Sequence, residues 1–143
     1  MRPFLVMLFL LASGASAPAY SQSYLIKVTI TGLHSDKGKL YLSIYNSEKG
    51  YPKDPAAAYR LTNAEIHSGK STVLLAGIPP GTYAIACYHD ENDNGKIDLN
   101  FLGIPKEGTG ASNDAKGSFG PPKFRDAKFR LGSDTSLAVR INY

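Results

Sequence analysis

Apolar residues recur at every second position along much of this chain, and that alternation constrains its fold more than any other feature. Over Tyr24 to Thr31, Ile26, Val28 and Ile30 alternate with Lys27, Thr29 and Thr31. Beyond the turn residues His34-Ser35-Asp36-Lys37-Gly38, Leu40, Leu42 and Ile44 repeat the pattern, with Tyr41, Ser43 and Tyr45 opposite. Successive side chains of an extended strand point to opposite faces, so this period predicts half-buried antiparallel strands. Arg60 to Ile66 and Ser71 to Leu75 read as two more, joined through His67-Ser68-Gly69. Pro79-Pro80-Gly81 forces a turn, because proline locks φ and glycine accepts a positive φ, and Thr82 to Tyr88 follows as a strand. Ala127 to Leu131 and Leu137 to Ile141 complete the set around the turn residues Gly132-Ser133-Asp134. Helix is expected only as a single turn within Tyr51 to Ala58. The expected fold is all-β: a single antiparallel β-sandwich of about seven strands, Ig-like or transthyretin-like, with one long ordered loop.

A length of 143 residues fits one domain with its own hydrophobic core. The formal charge of +4 is spread along the chain, with no basic cluster of the kind that tracks nucleic acid. Cys87 is the only cysteine, so an intramolecular disulfide is excluded. At the N-terminus, Arg2 precedes an apolar run from Phe4 to Ala12, followed by the small residues Gly14, Ala15, Ser16 and Ala17. That order predicts a signal peptide over residues 1–22, cleaved after Ala17 or a few residues later, and a mature domain over residues 23–143. The apolar run is too short to persist as a membrane anchor, so the mature chain is expected to be exported, periplasmic or extracellular, with no transmembrane segment.

Residues 89–126 break the strand rhythm. Loops this long in compact domains are functional or disordered. The apolar residues Ile97, Leu99, Phe101, Leu102, Ile104, Phe119 and Phe124 predict that this one packs against the sheets. It opens with Asp90-Glu91-Asn92-Asp93-Asn94-Gly95-Lys96-Ile97-Asp98. Counted from Asp90, oxygen-bearing side chains fall at positions one, three, five and nine with glycine at six, the ligand order of an EF-hand calcium loop. Ca²⁺ is a hard cation that takes six to eight oxygens, and alternate residues of a tight loop aim side chains inward. Asp90 and Asp98 supply charge, Asn92 and Asn94 neutral oxygens, and Lys96 its backbone carbonyl. Position twelve is Phe101 where an EF-hand has glutamate, so Glu107 is the candidate for the missing ligand, with Asp93 and Glu91 less favoured by register. The competing explanation is that Asp and Asn form Asx-turns, in which the side chain stands in for a backbone turn.

The stretch Gly81-Thr82-Tyr83-Ala84-Ile85-Ala86-Cys87-Tyr88-His89, running on through Asp90 to Asp98, resembles the core signature of an exported bacterial family known as domain-of-unknown-function family 2141. Gly103-Ile104-Pro105-Lys106-Glu107-Gly108, Ser112-Asn113, Gly120-Pro121-Pro122-Lys123-Phe124 and Ala127 with Phe129 follow in the same order. The resemblance spans nearly the whole mature chain, including Gly38-Lys39-Leu40. It implies an envelope β-sandwich of unassigned activity and names no substrate.

No His-Glu-x-x-His or Gly-x-Ser-x-Gly motif occurs. His34 and His67 fall in turns and are expected to be solvated. His89 adjoins the acidic loop, where it either orients Asp90 or is a plain strand-end histidine. Cys87 reads as a small buried hydrophobe, and Ser112-Asn113-Asp114 as a turn. Lys106, Lys116, Lys123 and Arg125 lie among glycines, an arrangement that either binds an anion or is a solvated loop. Tyr41, Tyr45, Tyr51 and Tyr59 either form an aromatic surface for carbohydrate or peptide, or cover sheet edges. Two functions follow. The first is a non-catalytic envelope module whose calcium-stabilised loop meets an envelope protein or glycan. The second is a metal-dependent, hydrolase-like enzyme using His89, Asp90 and Glu107, which requires an open coordination position.

Overall fold

The computed structural model describes residues 21–143; the expected leader and its cleavage after Ala17 lie outside the described residues. Alternation becomes strand where expected. Tyr24–Thr31 (β1) buries Ile26, Val28 and Ile30, and Lys39–Tyr45 (β2) buries Leu40, Leu42 and Ile44. Arg60–Ala64 (β3), Ser71–Ile78 (β4) and Gly81–Asp90 (β5) follow. Thr109–Ala111 (β6), a helical turn Phe124–Ala127 (α1), Phe129–Leu131 (β7) and Thr135–Arg140 (β8) complete the chain. The helix expected near Ala56 is a 3₁₀ turn, Pro55–Ala57, capped by the Asp54 side chain on the Ala56 N–H.

These strands form two sheets, one ordered β4-β1-β8 and one ordered β3-β2-β5-β6, with β7 also on β5. The inward faces of both sheets share one cluster that includes Ile26, Val28, Leu42, Ile85, Val73 and Val139. The expected single antiparallel sandwich of about seven strands is corrected on two counts. The described residues form eight strands, and β8 runs parallel to β1, with Val28 opposite Leu137. Side-chain alternation is the same in parallel and antiparallel strands, so it carries no information on direction.

The hairpin turn between β3 and β4 holds Ser68 and Gly69 at φ 52° and 68°. Both of their N–H groups donate to the Asp36 carboxylate at 2.8 Å. These bonds favour the charged form and hold Asp36 below the ordinary aspartate pKa.

The segment 89–126 departs from expectation. It contains β6 and most of α1, and it packs only in part. A second buried cluster joins Ala84 of β5 to Ala111 and Ala127, with Tyr51, Ala115 and Phe124 against it. Leu99, Phe101, Leu102, Ile104 and Phe119, expected to anchor the loop, are exposed. Alanines do most of the packing, because they let the returning chain approach the sheet closely. Tyr45 is buried as well, with its hydroxyl donating to Pro52 O and Asp54 O and its ring edge-on to Tyr51. Those two tyrosines therefore cover the sheet.

Candidate functional site

The acidic loop leaves β5 at Asp90, whose side chain is fully buried. Its two oxygens accept the N–H groups of Asn94 (3.2 Å) and Gly95 (2.7 Å), closing the chain into a tight turn. Gly95 sits at φ 78°, a left-handed conformation that favours glycine. Asn94 N–H also donates to Asn92 Oδ1, and Lys96 N–H to Asn94 Oδ1, so two Asx-turns follow one another. The side-chain amides of Asn92 (2.6 Å) and Asn94 (3.1 Å) donate to the Asp98 carboxylate. These bonds, from Asn92 first and then Asn94, hold Asp98 below its ordinary pKa.

Glu107 closes the loop from the far side. Its carboxylate, nearly buried, accepts Asp98 N–H at 3.0 Å through one oxygen and Glu91 N–H at 3.2 Å through the other. The residue singled out as a missing ligand therefore clasps both ends of the loop. The structure thus links Asp90, Asn92, Asn94, Lys96, Asp98 and Glu107 in one hydrogen-bond network, Lys96 by its backbone. Among the described residues, no three His, Cys, Asp or Glu side chains are gathered as a metal-holding group. The carboxylates of Asp90, Asp98 and Glu107 each point to their own N–H donors.

His89 does not orient Asp90. Consecutive strand residues face opposite ways, and the buried His89 ring has other partners. Nε2 lies 2.8 Å from Lys37 O, which only accepts, so Nε2 carries a proton. Nδ1 lies 2.6 Å from the Tyr143 hydroxyl, which also accepts His34 N–H. His34 itself stacks on Tyr143 with ring centroids 3.5 Å apart. His89 is thus a tie between β5, the β1–β2 connection and Tyr143.

Ser112 has an equally structural role. β7 pairs with β5 at Gly81 to Tyr83 and β6 at Ala86 to Tyr88, which leaves a gap along that edge. Ser112 Oγ fills it, accepting Ile85 N–H at 2.9 Å and donating to Ala127 O at 2.5 Å. Cys87 is buried against the Gly110 backbone, and burial pushes its thiol up to about 12.

The cations of the glycine-rich stretch divide between two places. Lys106 stands by the acidic loop, while Lys123 and Arg125 line an open cleft of about 560 Å³ with Lys49 and Lys53. Lys49 and Lys53 lie roughly 70 residues earlier in the chain, and no local pattern joins them to Lys123.

A family model described as "Uncharacterized protein conserved in bacteria (DUF2141)" matches residues 28–138. No curated protein and no solved structure gives a match.

Proposed function

This chain belongs to that uncharacterized bacterial family, and from that premise we propose that it is a non-catalytic, exported envelope module whose Asp90–Asp98 loop takes calcium and so stiffens a platform for a partner. The observation that carries this reading is the clasp of Glu107 on Glu91 N–H and Asp98 N–H. It ties a carboxylate from nine residues downstream of Asp98 to both ends of a loop whose oxygen-bearing residues follow the calcium-loop order in sequence. The donor set is all oxygen, which suits a hard cation. Each carboxylate oxygen keeps a second lone pair beyond the one its N–H partner uses. Calcium binding requires Asn92 and Asn94 to turn their amide oxygens inward, because both now present N–H to Asp98.

The non-catalytic half of the reading is supported by prior commitments. The His89 ring, the Ser112 hydroxyl and the Asp90 and Glu107 carboxylates all serve backbone or neighbouring groups. A general acid or base needs a free position toward substrate.

Isothermal calorimetry of the mature chain with CaCl₂ tests the metal. The expected dissociation constant is on the order of 10⁻⁴ M, as in extracellular modules. At 10 mM calcium the native state should then gain about 2.7 kcal/mol by mass action. Absence of saturable heat up to about 10 mM, or equal binding by the double variant Asp90→Ala, Asp98→Ala, would refute the calcium reading.

A further inference from the structure

The cleft of about 560 Å³ between residues 48–53 and 121–125 combines an apolar floor with a cationic rim. Tyr51, Pro52, Pro122 and Phe124 are half-buried, whereas Lys49, Lys53, Lys123 and Arg125 stand exposed. Glu48 is the only acidic residue of the lining, so four cations face one carboxylate, a formal charge of +3. Neighbouring acids do not cancel it. Among the described residues, Lys49, Lys53 and Lys123 form no ion pair, and Arg125 meets Asp126 only at 3.7 Å on an exposed surface. The Asp54 carboxylate is turned to the Ala56 N–H. A cleft lined by one sign of charge concentrates field and draws in the opposite ion.

Both walls are held from behind. The Tyr51 hydroxyl donates to Ile85 O at 3.2 Å, and its ring meets Tyr45 and Phe124 edge-on. Asp54 N–H donates to Gly50 O at 2.7 Å, and the Tyr45 hydroxyl to Pro52 O. Across the cleft, Asp126 N–H bonds Lys123 O and Lys128 N–H bonds Phe124 O. Gly117 lies so near the Gly120 and Pro121 carbonyls that a Cβ would collide with them. Binding therefore has to order little beyond the cationic side chains, which keeps its entropic cost low.

The lining also selects among anions. A space of this size falls in the range of small-molecule sites and far exceeds one inorganic ion, so the ligand's charges are spread over a larger body. Pro52, Pro121 and Pro122 offer no N–H, and the carbonyls of Gly50, Pro52, Lys123 and Phe124 are already bonded. A peptide thus finds little main chain to pair with. The C–H faces of a sugar ring, by contrast, pack on aromatic and proline side chains while acidic substituents reach the rim.

Resting on the reading of this chain as a binding module, we propose that the cleft binds an acidic oligosaccharide, its rings on Tyr51, Pro122 and Phe124 and its carboxylate or phosphate groups on Lys49, Lys53, Lys123 and Arg125. No residue of the Asp90–Asp98 loop lines the cleft, so binding does not require calcium.

Calorimetric titration of the mature chain in EDTA at low ionic strength tests this with four probes: a galacturonate tetramer, glucose 1,6-bisphosphate, neutral maltotetraose and a glutamate tetrapeptide. Saturable binding of the uronate, the bisphosphate or both is expected, weakened by salt, with none for maltotetraose; which of the two binds names the anionic group. Lys53→Glu with Lys123→Glu, one change in each wall, should weaken binding by roughly tenfold or more. Lys27→Glu with Lys70→Glu, the same charge change outside the cleft, should leave it within about twofold. These lysines are exposed, so melting temperatures should hold at the wild-type value; Lys53→Gln with Lys123→Gln gives a milder pair with the same expected direction. Amide shifts on titration should centre on residues 49–53 and 123–125. No binding of either acidic sugar, equal loss in both charge-reversed pairs, or shifts centred elsewhere overturns the site. Glutamate tetrapeptide bound as tightly as the uronate overturns the sugar and makes an acidic peptide the occupant. Sugar binding without calcium heat defeats only the metal reading, and calcium heat without sugar binding defeats only the cleft.

Discussion

Replacing Glu107 by alanine removes the acceptor for two backbone donors at once, and the structure sets the size of the effect. Hydrogen bonds to charged groups contribute about 1.5–3 kcal/mol each. Glu91 is exposed, so its N–H regains water and little is lost there. Asp98 is half-buried and its 3.0 Å bond is the shorter of the two, so most of the cost falls on it. The expected penalty is about 2 kcal/mol, which corresponds to a roughly thirty-fold rise in loop opening. Because the loop can open without the sheets, amide hydrogen exchange at Asp98, measured in calcium-free buffer, is the proper readout. The Asp98 amide should lose roughly thirty-fold protection in Glu107→Ala, while amides of Val28 and Leu42 in the strands stay protected. Glu107→Gln keeps one acceptor oxygen of the same reach and should lose about half the energy. Asp98 protection within about twofold of wild type in Glu107→Ala would show that the clasp carries no energy and that the reasoning fails.

Three further outcomes follow from the same structure. Ser112→Ala leaves the Ile85 N–H unpaired in a buried gap and should lower unfolding free energy by about 2–3 kcal/mol in urea; a loss below about 0.5 kcal/mol would mean that water or a strand shift fills the gap. Asp36 and Asp98 both titrate below the ordinary value of 3.8, so the stability they contribute is fully present above that pH and is lost as pH falls through their lowered pKa values. Calcium-free melts should therefore be level from neutrality to about pH 5 and fall below about pH 4, less steeply in Asp36→Asn with Asp98→Asn; parallel curves for both proteins would refute the assignment. Cys87, with its thiol pushed up to about 12 by burial, should resist a thiol reagent at pH 8 until denaturant is added, and free reaction of the folded chain would contradict its burial.

Much of the candidate loop was legible in advance because its chemistry is local. Asp90, Asn92, Asn94, Gly95 and Asp98 lie within nine residues, and the turns they make depend on neighbours two to five positions away. Glu107 is the nearest acidic residue downstream of the loop. It does reach the loop, though as an acceptor for backbone donors at both ends. The proposed link between His89 and Asp90 failed because adjacent strand residues face apart, and the partner that claims His89 is Tyr143, 54 residues away. The exposed tip departs from its sequence pattern for a related reason. Phe101 and Leu102 look like anchors by composition, but the Asn100 side chain folds the hairpin on itself, and no residue pattern reveals whether a self-contained hairpin leans on the sheet.

The alternation of Ile26, Val28 and Ile30 with polar residues determined by itself that β1 is a strand and which face it buries, since side-chain direction follows from the backbone alone. The same holds for β2, for the turn at Ser68-Gly69 and for the oxygen-rich turn after Asp90. Only the tertiary structure decided that β8 runs parallel beside β1, that β6 and β7 divide one edge of β5 with Ser112 between them, and that Glu107 closes the loop. Those choices join residues far apart in the chain, and they are set by which arrangement buries the two apolar faces together while pairing the buried backbone groups.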